Sequence, residues 1–322
     1  MPPQSIFSVA SPDAALMQEV AWVLFGGALV IFVFVMVLVA RGAISGPTEI
    51  RGNRWLLGGG VILPVAVLTA LLIYGLRVGA ALSHDAHSYS EAADGQPSNT
   101  AEDEMLRVHV IGRRWWWEAR YHMSNGREET VLANELHLPM GVPADLTLTT
   151  ADVIHSFWIP ALAGKVDMIP GHRNRLVIRP DRPGVFRGQC AEYCGSQHAR
   201  MAFEVVVEPP VRFAEWLSGQ AKPAREPATA LLREGRDAFF RGGCHACHTI
   251  RGTEARGQLG PDLTHVGSRR TLAAGVLRNH PGAMAGWIAN TQALKPASLM
   301  PTMNVFTGPE LLALSAYLES LE

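Results

Sequence analysis

Two stretches of this chain, residues 20–40 and 55–76, contain no charged side chain, and the second holds Pro64. Each is long enough to cross the hydrocarbon core of a bilayer, which takes roughly 20 apolar residues. Neither shows the polar face that a core helix of that length keeps. In hydrocarbon the backbone must satisfy its own hydrogen bonds, so both are predicted to be transmembrane helices. The connection between them, residues 41–54, sets Arg41, Arg51 and Arg54 against one acid, Glu49. Basic excess on a short loop places it in the cytoplasm. Both termini and everything after Leu76 then lie outside, in the periplasm of a Gram-negative cell. The residues before the first span include Asp13 and Glu19 but no Lys or Arg, so a retained hairpin is expected rather than a cleaved signal peptide.

The 322 residues leave room for further domains after the hairpin. A net charge of −1 offers no basic field for nucleic acid. Residues 1–82 are assigned to the N-terminal segment and hairpin, and the polar residues 83–104 to a connector. Over 105–217 short apolar runs (107–111, 145–149, 175–178 and 202–207) alternate with turn residues, which predicts a β-sandwich or small barrel. Residues 212–220 suit a short helix. Gly219, Pro223 and Pro227 mark a linker over 218–228. Residues 230–241 and 308–321 have helical periodicity, so 229–322 is expected to be a separate small helical domain.

The four cysteines fall in two close pairs. In an oxidising compartment the default is two disulfides, but the neighbours argue against it. The first pair reads Cys190-Ala-Glu-Tyr-Cys194-Gly-Ser-Gln-His198-Ala-Arg-Met201. Two thiolates, an imidazole and a thioether select copper over hard cations. Zinc also takes Cys and His, although a methionine nearby does not suit it. A disulfide would leave His198 and Met201 without a role. The second pair, Cys244-His-Ala-Cys247-His248, is a Cys-x₂-Cys-His haem-attachment motif, for which a redox dithiol is the alternative.

The first arrangement resembles the binuclear copper (CuA) centre of cytochrome c oxidase subunit II, and the likeness runs from about residue 10 to 210. Asp152-Val-Ile-His155-Ser-Phe-Trp158 is similar to the segment that supplies the other copper histidine. Pro160, Lys165, Asp167, Ile169-Pro170-Gly171, Arg182-Pro183-Gly184 and Gly188-Gln189 follow as the family has them. The resemblance implies a cupredoxin-like domain in which Cys190 and Cys194 bridge two coppers. His155 and His198 would each bind one copper, with Met201 and the Glu192 carbonyl as weak ligands. It also implies that the Glu192 side chain reaches a Mg²⁺ or Mn²⁺ at the contact with subunit I. Gly112-Arg-Arg-Trp115-Trp116-Trp117 resembles the family's aromatic stretch, with Trp115 where electrons arrive. Arg113 and Arg114 replace the usual His-Gln pair, a departure that bears on the docking surface for cytochrome c.

Residues 228–322 resemble class I cytochrome c. Gly260-Pro261-Asp262-Leu263 follows the attachment motif, and Leu299-Met300-Pro301 precedes a closing helix with Tyr317. By that likeness the domain is all-α and carries a covalent haem c. His248 is the proximal ligand, the Pro261 carbonyl accepts its Nδ1 hydrogen bond, and Met300 is the sixth ligand, with Met303 as competitor. Other histidines (His109, His122, His137, His172, His280) are read as packing or surface residues, and His265 is a candidate for the haem edge that no motif supports.

The expectation is an electron-transfer subunit of a caa-type cytochrome c oxidase in the bacterial inner membrane. Its partners would be subunit I, other oxidase subunits, membrane lipid, and cytochrome c or another periplasmic donor. A related nitric oxide reductase subunit and a copper chaperone are the alternatives. The chaperone has no use for a covalent haem or for Met201.

Overall fold

The computed structural model describes residues 4–44, 52–87, 105–122 and 130–322. Residues 15–98 form one compact unit, and residues 1–14 with 99–322 form the other.

In the first unit, α1 (Pro12–Ile44) is followed by α2 (Gly52–Leu57), a π-turn (Gly58–Ile62) and α3 (Leu63–His87). Pro64 has no amide hydrogen, and its ring crowds the Gly60 carbonyl four residues back, which favours the wider π spacing there. The spans expected from sequence lie within Pro12–Ile44 and Arg54–Leu82, both long and apolar enough to cross a bilayer. Their large side chains, such as Val30 and Phe32, are exposed around the helices. An apolar surface of that extent needs lipid or protein to cover it. Helix α3 continues through residues 83–87, which the sequence pattern assigns to the connector. Glu49 and Arg51 of the short loop, and residues 88–104 of the connector, lie outside the described residues.

The second unit contains the predicted β-domain. Its strands are β1 (Leu106–Arg113), β2 (Trp116–His122), β3 (Thr130–Ala133), β4 (Glu135–Pro139), β5 (Ala144–Thr150), β6 (His155–Trp158), β7 (Val166–Met168), β8 (Asn174–Ile178), β9 (Gly184–Cys190) and β10 (Ala202–Glu208). They form two five-stranded sheets, ordered β3-β2-β1-β5-β8 and β4-β10-β9-β6-β7. Strands β1/β5 and β4/β10 pair in parallel. Alternation gives the inward face: Ala144, Leu146 and Leu148 of β5 are fully buried, while the residues between them are not. Trp117, Phe157 and Phe203 pack together between the sheets. Gly188 makes room for the Phe203 ring, because a Cβ there would stand 2.1 Å from it. The chain's first residues join this domain: the Ala10 N–H donates to the Ala161 carbonyl at 2.8 Å, and Ser11 Oγ to that of Leu162. Helix α4 (Pro210–Gln220) matches the expected short helix and buries Phe213 and Leu217.

The C-terminal part has its own core of Phe239, Ile250, Met284, Ile288, Leu314 and Tyr317. Helix α5 (Ala230–Arg241) starts where Thr229 Oγ1 accepts from the Leu232 N–H. A 3₁₀ turn follows at Cys244–Ala246, then β11 (Thr271–Leu272), β12 (Leu277–Arg278), α6 (Pro281–Ala289), α7 (Thr291–Leu294) and α8 (Gly308–Glu319). A Thr307/Glu310 capping box fixes the start of α8. Gly235 lets α5 cross α8, since a Cβ there would lie 2.0 Å from the Ala313 carbonyl oxygen. The hairpin β11/β12 and helix α6 were not anticipated. Two-residue strands show no period, and α6 is apolar all round. It is set instead by Pro281 at its first turn and by His280 Nδ1, which accepts from the Ala283 N–H.

His137, read from sequence as a packing or surface histidine, is buried on β4. Its ring stacks on Trp216 at 3.7 Å, and its nitrogens stand 2.9 Å from Glu208 Oε1 and 3.9 Å from Glu135 Oε2. Burial opposes protonation, but the two carboxylates outweigh it and raise the pKa above the ordinary histidine value. A histidine raised on folding stabilises below its unfolded pKa, about 6.5, and loses that contribution as pH rises through the folded value. His137→Gln is therefore expected to lower the melting temperature at pH 6 more than at pH 9, as read by calorimetry at both pH values.

Candidate functional site

Two paired strands and one loop assemble the first cluster. His155 opens β6, Cys190 ends β9, and the register sets Phe157 opposite Cys190. The loop 191–201 returns through Gly195, at φ +113°, and a 3₁₀ turn at His198–Arg200. It is closed by the Cys190 N–H donating to the Met201 carbonyl at 2.9 Å. Cys190 Sγ stands 3.8 Å from Cys194 Sγ and 3.8 Å from His155 Nδ1. Cys194 Sγ lies 3.7 Å from His198 Nδ1 and 3.8 Å from Met201 Sδ, and the Glu192 carbonyl is 3.2 Å from Cys190 Sγ. His155, Cys190, Cys194 and Met201 are buried, whereas the Glu192 side chain is exposed. The structure thus brings together every donor that the sequence singled out.

This cluster suits a cation and not a disulfide. Both cysteines are free, and their sulfurs are far beyond the bonded separation of about 2.05 Å. The hydrogen bond from Cys194 and the contact with His155 hold the Cys190 thiol down, to about 3. The same contact with Cys190 and burial drive the Cys194 thiol up. A second anion in that small volume is opposed by the first. Positive charge between the sulfurs removes that opposition. His155, Cys190 and Cys194 each offer a ligand atom, all within 4.8 Å of one another.

Asp152 orients the first histidine, a role the sequence reading did not assign to it. His155 Nε2–H donates to Asp152 Oδ1 at 2.8 Å, which leaves Nδ1 facing the sulfurs. The Arg114 and Val153 amides, each at 2.7 Å, fix the carboxylate. Burial pushes the Asp152 carboxyl up, but these hydrogen bonds outweigh it and hold it below the usual range. Gly112 gives the ring its space, because a Cβ there would stand 2.9 Å from His155. Trp115 is buried against the loop, and its indole N–H donates to the Cys194 carbonyl at 2.9 Å. Trp117 is core, and Trp116 lies under the Arg113 guanidinium.

The second cluster surrounds His248, whose Nδ1–H donates to the Pro261 carbonyl at 2.8 Å. Burial lowers the pKa of His248, so the neutral ring offers Nε2 as a ligand. Gly260 passes so close that a Cβ would lie 2.5 Å from the ring. The Cys244 thiol is pushed up to about 11 by burial. A redox dithiol depends on one lowered thiol instead. Met300 and Met303, both partly buried, pack against the core of this domain. Arg269 Nε, Asn279 Oδ1 and Thr271 Oγ1 are buried without a hydrogen-bond partner. Arg269 acts electrostatically on His248, so its unpartnered guanidinium nitrogen, together with His248 and the cysteines, fits a group that carries carboxylates, as haem does. His265 is buried, and its Nε2–H donates to the Lys222 carbonyl of the linker at 2.9 Å.

Lys295 also escaped the sequence reading. It is 3% exposed, and burial lowers its pKa to about 7. A lone lysine after a four-residue helix carries no motif.

Asp152→Asn should keep the fold but weaken metal binding by about 10–100-fold. A competition titration against a chelator, with circular dichroism as the control for folding, measures this.

Residues 106–209 match the family model for the periplasmic domain of cytochrome c oxidase subunit II, and residues 232–322 match that for cytochrome c. The chain is 30% identical over 299 residues to cytochrome c oxidase subunit 2 of Alkalihalophilus pseudofirmus, covering 91% of this chain and 82% of that one. It is 27% identical over 314 residues to cytochrome c oxidase subunit 2 of Bacillus subtilis, with 91% and 83% covered. The crystal structure of the periplasmic domain of cytochrome oxidase subunit II from Bradyrhizobium japonicum is 31% identical, covers 38% of this chain and 96% of that one, and has a TM-score of 0.34. The two domain matches imply copper in the β-domain and haem in the helical one. With its two spans, the chain belongs to the cytochrome c oxidase subunit II family, as a membrane-bound electron-transfer subunit with a cytochrome c domain fused behind its copper domain.

Proposed function

We propose that this chain serves a caa-type oxidase, accepting electrons from cytochrome c or another periplasmic donor and delivering them to subunit I, which reduces oxygen to water and pumps protons. The observation that carries this reading is the unbonded, buried sulfur pair of Cys190 and Cys194 flanked by two imidazoles. When bound, the copper pair and haem c supply reversible one-electron chemistry.

Cys190, Cys194, His155 and His198 would hold the copper pair, with Met201 and the Glu192 carbonyl as weaker donors. Strands β6 and β9 hold His155 and Cys190, and the loop 191–201, closed by the Cys190–Met201 backbone hydrogen bond, holds the rest, so little rearrangement accompanies a change of charge. Asp152 keeps the His155 tautomer constant. Trp115 lies on the route by which electrons reach the pair, hydrogen-bonded to the backbone of a bridging cysteine. Cys244, Cys247, His248 and Met300 would hold the haem, with His248 oriented by its hydrogen bond to the Pro261 carbonyl. The Glu192 side chain, which is exposed, would reach a Mg²⁺ or Mn²⁺ at the contact with subunit I. The basic loop faces the cytoplasm, the spans of the inner membrane contact lipid, and both redox domains are periplasmic. For the domains we keep the sequence-based division 1–82, 83–104, 105–217, 218–228 and 229–322 as a proposal, with helix α3 running on to His87 and helix α4 to Gln220.

Electron paramagnetic resonance tests the reading. The protein should give a mixed-valence signal with hyperfine coupling to two equivalent copper nuclei, and a mononuclear blue-copper signal refutes the ligand set. Cys194→Ser should abolish that signal and leave the haem c optical spectrum intact. Met300→Leu should remove the thioether charge-transfer band and lower the haem potential, while Met303→Leu should keep both.

A further inference from the structure

The described residues contain one lysine whose ammonium is buried across the contact between the helical domain and the copper domain. Lys295 Nζ donates to three backbone carbonyls: Trp115 at 2.7 Å, Arg200 at 2.9 Å and Ala273 at 3.0 Å. An ammonium has three hydrogens, and each finds an acceptor. A buried cation is costly, and an apolar side chain would fill the same space without that cost. What the charge adds is direction, because all three acceptors must lie where they do.

Each carbonyl belongs to a segment that matters. Trp115 donates its indole N–H to the Cys194 carbonyl. Arg200 immediately precedes Met201 in the loop of sulfur and imidazole donors. Ala273 and Ala274 sit at φ 54° and 59°, a strained left-handed pair for non-glycine residues. The Ala274 carbonyl in turn accepts from the Ala202 N–H at 3.1 Å. On the other side, Lys295 ends α7, and Gln292 of that helix donates through Nε2 to the Met300 carbonyl at 3.0 Å. Hydrogen bonds from the two ends of the short segment 292–295 therefore tie the Met300 loop on one side and Trp115 on the other. Further contacts close the same face: Arg200 Nη1 to the Leu294 carbonyl at 2.7 Å, Arg270 Nε to Glu204 Oε2 at 2.6 Å, and the Arg270 N–H to Glu135 Oε1 at 2.8 Å.

We propose that Lys295 is a positioning residue for electron transfer within the chain, seating the cytochrome c domain so that its Met300 loop is held in register with Trp115. This rests on the electron-relay function proposed above. Tunnelling falls steeply with separation, so losing the three-carbonyl clasp slows transfer while leaving both redox centres intact.

The test is photochemical reduction of the haem in the assembled oxidase, followed by the rate of electron transfer to copper, in wild type, Lys295→Met and Lys295→Gln. The copper resonance spectrum, the haem spectrum and amide exchange at Ala202 and Arg270 are recorded alongside. In Lys295→Met the rate should fall by about tenfold or more, with faster exchange at both amides and unchanged spectra of both centres. Lys295→Gln keeps part of the donor set and should lie between the two. It also carries the test should the Met variant not assemble. Unchanged rates in the variants overturn the proposal, as does a slower rate that appears only with an altered copper spectrum, which would place the role in the ligand loop. Absence of haem-to-copper transfer in wild type would instead refute the relay itself.

Discussion

Cys190 and Cys194 hold their sulfurs 3.8 Å apart in a buried volume, too far to bond and too close to persist as two bare anions. The β-domain is organised around that unstable arrangement. Strand β9 delivers one sulfur, the β6 register sets His155 beside it, and the loop from 191 to 201 wraps the second sulfur between His198 and Met201. Strands and loop together fix the donors, which is what a relay needs, because each change of charge then displaces little.

The supports of this site lie one contact further out. Asp152 fixes the tautomer of His155, two amides fix Asp152, and Gly112 clears space for the ring. Trp115 ties the aromatic stretch to the loop backbone. At His248 the same principle recurs with different parts, a proline carbonyl replacing the carboxylate and Gly260 replacing Gly112. In both places the protein aligns an imidazole by hydrogen-bonding its far nitrogen and removing a Cβ from its face.

Much of this was legible in the linear pattern. Residues 20–40 and 55–76 announce bilayer helices because a spanning segment has no freedom to be polar. Residues 145–149 and 202–207 announce strands that the structure extends by only a residue or two. Residues 230–241 are a helix with those limits. The donors crowd into short motifs because local spacing suffices to set a loop. What went unread depends on distant partners. Helix α6 lacks a contrasting face, β11 and β12 are too short to show a period, and His137 looks solitary until β10 and α4 bring Glu208 and Trp216 to it.

By itself the sequence determined the two apolar helices, the β and helical domains, the family likeness and the candidate donors, since all of these are properties of composition and near spacing. Only the tertiary structure decided that Asp152 holds His155, that both methionines pack against the core of the helical domain, and that the helical domain hydrogen-bonds to the copper domain through Lys295, Arg200 and Arg270. Those facts need groups up to 180 residues apart to meet. Bringing them together is a consequence of packing two cores against each other, and no local pattern encodes it.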